Sequence, residues 1–532
     1  MIRVCLFLVL LTVAGCSSNT EKTATSPNII WLVAEDQSPD FFPMYGDKTV
    51  SLPHLEALAK DGITFNNAYA PVPVCAPARS SLITGMYPTS LGTHNMRTYN
   101  AYREENQPSI GIPSYSPLVP ENIRMFTEYL RAAGYYCTNN AKEDYNFKKV
   151  ASAWDESSKT AHWKNRAPDQ AFFAVFNFNS AHESQIWGQA DQPLLVAPES
   201  VPVPPILPDH PIVRKDLAVN YSNLIRMDQQ IGEIIAELKA ANLYDNSIIF
   251  FYGDHGGPFP RYKRALYETG LRVPLVIKFP ENKNAGSTTE SLISFIDFAP
   301  TVLSLAGVTP PAYMQGKALF GTNKSATPRK FIFASSDRFD EQVDRLRAVR
   351  HGRFKYIKNF NPNISNALPV SYRQQMPMMQ LMDSLWKEKA LTKNVAAWFE
   401  TPKPLEELYD IEQDPFELIN LADQALHQDT LRFLRQSLET WMLETQDLGA
   451  VPEKELLKQW FPNGKIPVLA PLKIVEKEGQ LTLSHPQKDV TIVWKSPEAK
   501  AWKVYGQPLA ADLQFTAKAV RIGYEDSPIL SH

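Results

Sequence analysis

The sequence predicts an α/β fold built on a largely parallel central sheet. Three apolar segments, at 28–33, 171–178 and 247–252, resemble strands buried on both faces, because they lack the polar alternation of a half-exposed strand. Each segment ends in polar residues, and helical patterns separate the three along the chain. Since α/β sheets place ligands at the carboxyl ends of their strands, these polar ends are expected to meet at one site.

Helical spacing and stop signals predict the elements between these strands. The segment 52–61 carries Leu55 and Leu58 on one helical face and stops at Gly62, a residue type that ends helices. By the same criteria, the remaining elements of this part of the chain are helices at 122–133 and 219–241, a strand at 135–139, and a strand followed by a helix within 292–307.

The pattern changes beyond about residue 330, where short β-type segments replace the alternation of strand and helix. Strands are expected at 331–336, on both sides of Gly352 within 346–357, and at 408–415, followed by a helix at 427–444. The segment 467–528 is rich in β-type residues and is expected to form a separate β-sandwich-like module. The segment 99–120 carries four prolines without periodicity, which predicts a long surface loop.

Charge and cysteine content exclude several classes of protein. The formal net charge of the 532 residues is −3, so no overall positive field attracts nucleic acid or an acidic membrane surface. The four cysteines are Cys5, Cys16, Cys75 and Cys137, and the first two belong to an export segment, so no disulfide framework is expected. A Cys75–Cys137 pair is conceivable but not expected, because it would consume a candidate nucleophile.

The N-terminus has the pattern of an export signal. Arg3 precedes an apolar run at 4–13 that is too short to span a bilayer, and Cys16 ends a sequence that resembles a bacterial lipobox. Residues 1–16 are therefore expected to be a lipoprotein signal and 17–26 a polar tether. We expect an exported protein anchored through a lipid on Cys16 in the periplasm or at the cell surface, and an ordinary signal peptide is the alternative.

The segment 75–85 is the strongest candidate for chemistry. Pro77 suits the first turn of a helix and Gly85 suits its end, so Cys75 is expected at a helix N-terminus, where an anion is favoured. Arg79 lies one turn further on the same face and can bind an oxyanion. Taken alone, Cys75 and Arg79 are better explained as a buried structural cysteine and a surface arginine.

The whole string matches Cys-x-Pro-x-Arg-x-x-x-x-Thr-Gly at every fixed position and thus resembles the signature of the formylglycine-dependent sulfatases. The resemblance covers about 27–423 and implies an alkaline-phosphatase-like sandwich with a smaller C-terminal α+β subdomain. It implies a catalytic domain at 27–330, that subdomain at 331–450, and the added β module at 467–528. It also implies a maturase that oxidises Cys75 to formylglycine (3-oxoalanine), whose hydrate attacks sulfur.

The resemblance further implies a Ca²⁺ site. Glu35 and Asp36 match the acid pair after the first strand, although the family pattern has two aspartates, and Asp254 and His255 match the second pair. Together with the modified Cys75, these groups would bind a hard cation. Imidazole suits softer metals, so the alternative for His255 is a hydrogen bond to a ligand. For the loop at 254–255 alone, a simple turn is the competing interpretation.

Cationic and acid–base residues are implied by other matched strings. Lys142 matches the family's Lys-x-His loop, although Asp144 stands in place of the histidine, and Lys263 begins the matched string at 263–274. His182 matches the histidine that protonates the leaving oxygen, whose alternative is a structural histidine. Ordinary surface charges are the alternative for both lysines, and Arg264 has no support from a matched string. His94 and Arg97 are candidates for substrate binding, although the sequence favours plain loop residues.

The function implied is hydrolysis of sulfate groups on a glycosaminoglycan or an algal glycan such as ulvan, in the branch that contains N-sulfoglucosamine sulfohydrolases. Exo-type action in a pocket is expected, with 4-nitrophenyl sulfate a poor substrate. The alternatives are a phosphodiesterase or phosphonate monoester hydrolase of the same superfamily and a non-catalytic glycan-binding lipoprotein. Rings that could stack on sugars are offered by Tyr99, Tyr102, Tyr115 and Tyr372.

Overall fold

The computed structural model describes residues 26–99 and 110–532, and its centre is a nine-stranded sheet. The strands of this sheet are β1 (Asn28–Ala34), β2 (Ile63–Tyr69), β3 (Tyr136–Asn140), β4 (Glu156–Ser157), β5 (Phe172–Phe178), β6 (Ser247–Gly253), β7 (Arg272–Val273), β8 (Leu275–Lys278) and β9 (Ser287–Ser294).

The order β4-β3-β5-β1-β6-β8-β2-β7 places the three predicted apolar strands side by side at the middle of the sheet. Strands β4, β3, β5, β1 and β6 are parallel, β8 runs antiparallel to both β6 and β2, and β9 lies parallel to β2. Alternate residues of β1 enter two different cores, one on each face, which is why the whole strand is apolar. The predicted α/β sandwich with a mostly parallel sheet is confirmed.

Helices cover both faces of the sheet. They are α1 (Pro53–Asp61), α2 (Cys75–Thr84), α3 (Pro88–Leu91), α4 (Phe126–Ala132), α5 (Ser184–Gly188), α6 (Pro211–Ala240), α7 (Glu268–Leu271) and α8 (Phe298–Leu305).

Two of these helices begin elsewhere than predicted. Helix α6 starts at Pro211 rather than at 219, because proline suits the first turn and the His210 side chain accepts the Ile212 N–H at 3.2 Å. Helix α4 starts at Phe126 rather than at 122, because Asn122 has a φ of 67°, which a right-handed helix excludes. Both segments contain polar residues near the start of the helix, and the spacing of the apolar residues alone does not show whether these polar residues belong to the helix.

A second, four-stranded antiparallel sheet follows the main one, as predicted from the change in pattern. Its strands are β10 (Phe331–Phe339), β11 (Gln342–His351), β12 (Phe354–Asn359) and β13 (Glu406–Asp410), in that order. Gly352 has a φ of 56° and makes the turn between β11 and β12. The accompanying helices are α9 (Pro377–Lys387), α10 (Lys393–Ala396), α11 (Gln428–Glu444) and α12 (Glu453–Trp460).

The C-terminal β module consists of two small sheets that share one apolar core. Its strands are β14 (Lys473–Lys477), β15 (Gln480–Ser484), β16 (Thr491–Lys495), β17 (Lys503–Val504), β18 (Leu509–Ala510), β19 (Thr516–Val520) and β20 (Leu530–Ser531). The module packs on α4 and on the residues before it: Arg131 of α4 donates to the Trp502 carbonyl, and Arg124, which precedes the helix, donates from Nη2 to Val490 O at 2.8 Å. Where each domain begins and ends stays a prediction.

The expected surface loop has no regular structure over its described part, 110–120, but part of it is buried. Tyr115 is enclosed, and its hydroxyl donates to Glu453 at 2.7 Å, so its predicted role in stacking on a sugar is wrong. Tyr102, the export signal, Cys16 and nearly all of the tether lie outside the described residues. Within 26–99 and 110–532, no helix has the length and apolar character needed to cross a bilayer.

Candidate active site

The carboxyl ends of the three central strands bring the predicted polar residues together. Ala34, the last residue of β1, pairs with Gly253 at the end of β6 and with Phe178 at the end of β5. The residues that follow each strand therefore emerge at the same edge of the sheet. Asp36 turns back with a φ of 55°, and its N–H donates to Asp254 Oδ1 at 2.9 Å.

Helix α2 presents Cys75 to this edge. Cys75 is the first residue of the helix, and the Ala78 N–H donates to Val74 O at 3.2 Å to close the first turn. The helix ends at Gly85, whose φ is 71°. The sequence prediction for this helix is confirmed, including the placement of Cys75 at its N-terminus. Cys75 is fully buried.

A compact group of potential ligand atoms forms around Cys75. Single ligand atoms of Asp36, Cys75, Asp254 and His255 all lie within 4.8 Å of one another. His255 Nε2 is 3.2 Å from Cys75 Sγ and 3.0 Å from Asp36 Oδ1, and Sγ is 3.7 Å from the same oxygen. Cys75 Sγ occupies the position that the oxygens of a formylglycine side chain would take.

The ring of His255 is oriented so that Nε2 faces this group. Its Nδ1 lies 2.9 Å from Gly256 O, a carbonyl that can only accept, so Nδ1 carries a hydrogen. Metal-binding histidines are held in the same way, with the second ring nitrogen donating to a backbone carbonyl or carboxylate.

The two carboxylates of the group are ionised. Burial raises the pKa of Asp254, but His255 and Arg79 bring it down to about 2, and burial likewise opposes ionisation of Asp36, whose pKa Lys263 and the two histidines hold well below its usual range. Burial lowers the pKa of His255, but Asp254, Cys75 and Asp36 raise it to about 10. The two carboxylates are therefore available to a divalent ion, and His255 would join them as a ligand once such an ion displaces the proton of Nε2.

Glu35 differs from its predicted place in this group. Its carboxylate is buried, but it accepts from Lys142 Nζ at 2.8 Å and lies 3.8 Å from Arg79 Nη2. Glutamate is one methylene longer than the aspartate of the matched pattern, and the extra length carries the carboxylate to the cations. The structure thus brings four of the five predicted ligands together and places Glu35 beside them.

Arg79 points into the group, as its position in α2 predicts. Its Nε donates to Asp254 Oδ2 at 3.0 Å, and Nη1 donates to Asn177 Oδ1 at 2.7 Å. Asn177 is the one polar residue within the predicted apolar strand, and sequence analysis did not single it out. Its place next to the carboxyl end of β5 was the available signal.

Lys263 and His182 lie on the opposite side of Asp36. Lys263 Nζ is 2.7 Å from Asp36 Oδ2, 2.9 Å from Glu183 Oε1 and 3.4 Å from His182 Nε2. Lys263 is buried, so the alternative of a solvated surface charge is wrong for this lysine. Its ammonium group neutralises two carboxylates and reaches the histidine at the same time.

The orientation of His182 follows from its contacts. The Ser184 N–H donates to His182 Nδ1 at 3.2 Å, the Ser184 hydroxyl lies 2.9 Å from the same nitrogen, and the Lys263 ammonium lies 3.4 Å from Nε2. Nε2 lies 3.8 Å from Asp36 Oδ2, at the edge of the group around Cys75. His182 therefore presents Nε2 to the side of the reacting centre.

Glu183 and Arg264 belong to the site, and sequence analysis missed both. Arg264 donates to the two oxygens of Glu183 at 2.8 and 2.9 Å and also lies 3.2 Å from Asp340 Oδ2. This fork fixes the carboxylate that accepts from Lys263. The adjacency of Glu183 to His182 and of Arg264 to Lys263 was the only sequence signal for them.

Arg97 and His94, the two candidates for substrate binding, lie in different parts of the structure. Arg97 Nη1 lies 3.7 Å from Asp144 Oδ1, beside Lys142, so it reaches the mouth of the site. His94 is buried, with its closest electrostatic partners Asp337 and Arg347, and no contact joins it to Cys75 in the described part of the chain. The prediction that His94 binds substrate therefore receives no support from its position.

A cavity of about 410 Å³ opens beside Lys142, and its lining includes Arg97, Tyr99, Lys142, Asp144 and Lys149. On the other side, the ring of Tyr372 lies 6.4 Å from that of His182 and 5.3 Å from that of Trp187. The Cys75 side chain itself is polarised by two cations: burial raises its pKa, but Lys142 and Lys263 lower it to about 6.

The chain is similar in sequence to known proteins. Residues 27–308 match the family model described as Sulfatase, and residues 253–396 match the one described as N-sulphoglucosamine sulphohydrolase, C-terminal. An ulvan-active sulfatase of Formosa agariphila is 40% identical over 558 residues, covering 97% of this chain and 92% of the relative. The human N-sulphoglucosamine sulphohydrolase is 25% identical and covers 79% of this chain and 90% of its own.

Solved structures share the architecture. A protein bound to its substrate D-glucosamine-2-N,6-O-disulfate has a TM-score of 0.56 at 17% identity, covering 81% of this chain and all of that one. The phosphonate monoester hydrolase of Agrobacterium radiobacter has a TM-score of 0.53 at 16% identity, covering 79% of this chain and 97% of that one. At these identities the likeness concerns the fold alone.

Proposed function

The chain belongs to the sulfatase family, with its alkaline-phosphatase-like fold, and we propose that it removes sulfate groups from an ulvan-type sulfated polysaccharide or its oligosaccharides. It is a sulfuric ester hydrolase by membership of that family. The choice of ulvan rests on the relative that is 40% identical over 97% of the chain and is named for activity on that glycan.

The observation that carries the proposal is the arrangement of three cations around Cys75. Arg79, Lys142 and Lys263 each interact electrostatically with Cys75, which starts a helix whose N-terminal N–H groups also favour an anion. A tetrahedral anion on the reacting atom would meet the positive charge of each of them. Such an arrangement stabilises charge that develops on sulfate oxygens during transfer.

Maturation of Cys75 to formylglycine by a dedicated maturase is part of this proposal. The hydrate of that aldehyde would supply a nucleophilic hydroxyl and a second hydroxyl whose deprotonation expels sulfate. The complete signature at 75–85 supports it. Lys142 and Lys263 would hold the anionic side chain in place, since both act on the charge of residue 75.

A divalent ion, which we propose is Ca²⁺, would be held by Asp36, Asp254, His255 and the modified Cys75. When bound, it would act as a Lewis acid on a sulfate oxygen. Asp36 also keeps Lys263 and His255 oriented through its two oxygens. Glu35 serves a different role, in which its carboxylate orients Lys142 toward the substrate.

His182 is proposed as the general acid. A sugar alkoxide is a poor leaving group, so transfer of the Nε2 proton from the protonated ring to the leaving oxygen, which leaves a neutral imidazole, would lower the barrier. Lys263 Nζ lies 3.4 Å from Nε2 and helps to hold the ring in this position.

Export is also proposed, with a lipid on Cys16 as the only membrane attachment. The apolar run at 4–13 followed by the lipobox-like sequence supports it. One lipid-bearing terminus would keep the catalytic domain close to a membrane in the periplasm or at the cell surface, where a sulfated glycan is met.

The competing function is phosphonate or phosphate ester hydrolysis, since structures with this fold include such an enzyme. The sequence relatives favour sulfate, because the relatives at 40% and 25% identity are both sulfatases by name. A non-catalytic glycan-binding role is disfavoured by the intact set of Cys75, Arg79, Lys263 and His182 around one point.

A substrate panel tests the proposed function. Released sulfate is measured for defined ulvan, heparan, chondroitin and carrageenan oligosaccharides, with 4-nitrophenyl sulfate and a matched aryl phosphate as references. We expect the highest kcat/KM on an ulvan oligosaccharide and a poor value on the aryl sulfate, because remote sugar contacts contribute to transition-state binding. A higher kcat/KM on the aryl phosphate than on every sulfate would contradict the proposal.

Replacing His182 by glutamine separates the general acid from the rest of the site. We expect kcat on the oligosaccharide to fall by about 10²–10⁴, with a much smaller loss on 4-nitrophenyl sulfate, whose phenolate leaves without a proton. His162→Gln is the matched control, because that histidine pairs with Glu237 at 2.9 Å far from Cys75 in the chain's packing. Equal losses on both substrates would rule out acid catalysis by His182.

A further inference from the structure

We propose that Asp144 selects the sugar. The site would favour a sugar with a free hydroxyl group beside the sulfated carbon and would reject a sugar with a second anionic group at that place. This inference rests on the sulfatase function proposed above and concerns the same site.

Asp144 lies next to the site around Cys75, in the wall of an open cavity. It lines the cavity of about 410 Å³ together with Lys142. Lys142 Nζ reaches the buried Glu35 at 2.8 Å and lies 3.9 Å from Asp144 Oδ2. The same ammonium group therefore connects Glu35, beside the reacting centre, with Asp144 in the cavity wall. A sugar whose sulfate binds at Cys75 and whose ring occupies this cavity would meet the Asp144 carboxylate.

The hydrogen-bonding capacity of Asp144 is not used up within the described residues. Its Oδ2 accepts no hydrogen bond from any of them, and its ion pairs with Arg97 and Lys142 are long, at 3.7 and 3.9 Å. A buried carboxylate oxygen without a donor is unusual in a folded protein and indicates a missing partner. A sugar hydroxyl supplies the donor that this oxygen lacks.

The carboxylate is ionised in the free protein. Burial raises the pKa of Asp144, but Arg97, Lys142 and Arg79 outweigh burial and hold it below its usual value. A carboxylate in this state only accepts hydrogen bonds, so it binds a hydroxyl and repels a sulfate or carboxylate at the same position. The charge of Asp144 thus opposes the cations nearby and limits the anionic character of the substrate to the sulfate that reacts.

The test uses three methyl glycosides of one sulfated sugar, chosen from the panel above. The group next to the sulfate is a hydroxyl in the first, hydrogen in the second and a second sulfate in the third. For the wild-type chain we expect kcat/KM to fall in that order. Asp144→Asn keeps the size and tolerates the φ of 50° at this position, but removes the charge. It is expected to raise the ratio of doubly to singly sulfated substrate by at least about tenfold.

Glu143→Gln is the matched control. It removes the same charge one residue away, from a carboxylate that pairs with Lys149 at 2.9 Å on the outer wall of the same cavity. We expect the ratio to change less than about twofold. Thermal melting confirms folding of each variant, and Asp144→Ser is the second variant if Asp144→Asn is unstable.

The outcomes separate this inference from the function beneath it. An unchanged ratio in a folded Asp144 variant of an enzyme that releases sulfate overturns the selectivity of Asp144 alone, as does an equal shift in Glu143→Gln. No sulfate release by the wild-type chain from any sugar overturns the proposed function, and the selectivity with it.

Discussion

Replacing Cys75 with alanine is expected to abolish sulfate release, with kcat falling by on the order of 10⁵ or more. The reason is that the three cations, the N-terminus of α2 and the Asp36–His255 pair all converge on the side chain of residue 75. Without a nucleophile at that point, they stabilise no covalent step. The measurement is released sulfate from the best oligosaccharide, with enzyme made alongside the maturase.

The control for Cys75→Ala is Cys137→Ala. Cys137 is the other cysteine in the described part of the chain, and it is buried in the core of β3, where burial raises its pKa well above the usual value. Its substitution leaves a small cavity and is expected to lower stability slightly while kcat stays the same. Peptide mass spectrometry of the wild-type protein is expected to find an aldehyde at position 75. An unmodified thiol there in fully active protein would contradict the mechanism.

Asp36→Asn is expected to lower kcat/KM by about 10³ or more and to remove the bound divalent ion. Asp36 is shared by His255, Lys263 and the Glu183 N–H, so its charge holds both halves of the site. Loss of a metal that acts as Lewis acid costs several kcal/mol of transition-state stabilisation. Asparagine tolerates the left-handed φ of 55°, so the substitution tests the charge and not the backbone.

Metal content provides the independent readout for Asp36→Asn. Emission spectrometry of the dialysed wild-type protein is expected to find one divalent ion per chain, and the variant is expected to contain far less. Asp209→Asn changes an exposed pair with Arg214 and serves as the control with unchanged metal and activity. A wild-type enzyme that stays fully active after exhaustive chelation, with no metal detected, would refute the metal site.

Secondary structure was predicted correctly from the sequence where the local pattern of apolar residues results directly from how the element packs. The apolar runs of β1, β5 and β6 are buried on both faces, so the pattern and the packing have the same origin, and the polar residues after them follow. Strand β8 was not predicted, because four residues after Pro274 provide no period, and its antiparallel place between β6 and β2 is decided by tertiary packing.

The parts of the site that sequence analysis missed depend on contacts between distant segments. Arg264 gains its role from Glu183 and Asp340, which lie 81 and 76 positions away along the chain. The Glu35 carboxylate pairs with Lys142, 107 positions away, instead of joining the predicted metal ligands, because the glutamate side chain is one methylene longer than that of aspartate. No pattern within a single segment predicts the partners of Arg264 or Glu35, because these partners depend on which charged residues the fold brings close together.

The burial of Cys75 has a consequence for the order of events during synthesis. Its apolar neighbours include Phe339, Leu368 and Val370, which are made roughly 300 residues later than the cysteine itself. At about 5–20 residues per second, translation of that stretch takes roughly 15–60 s. During this interval the segment around Cys75 lacks these three partners. The proposed enzyme that modifies Cys75 therefore has a limited time to act, which is set by the rate of chain elongation. Slower synthesis of residues 85–370 would lengthen that time.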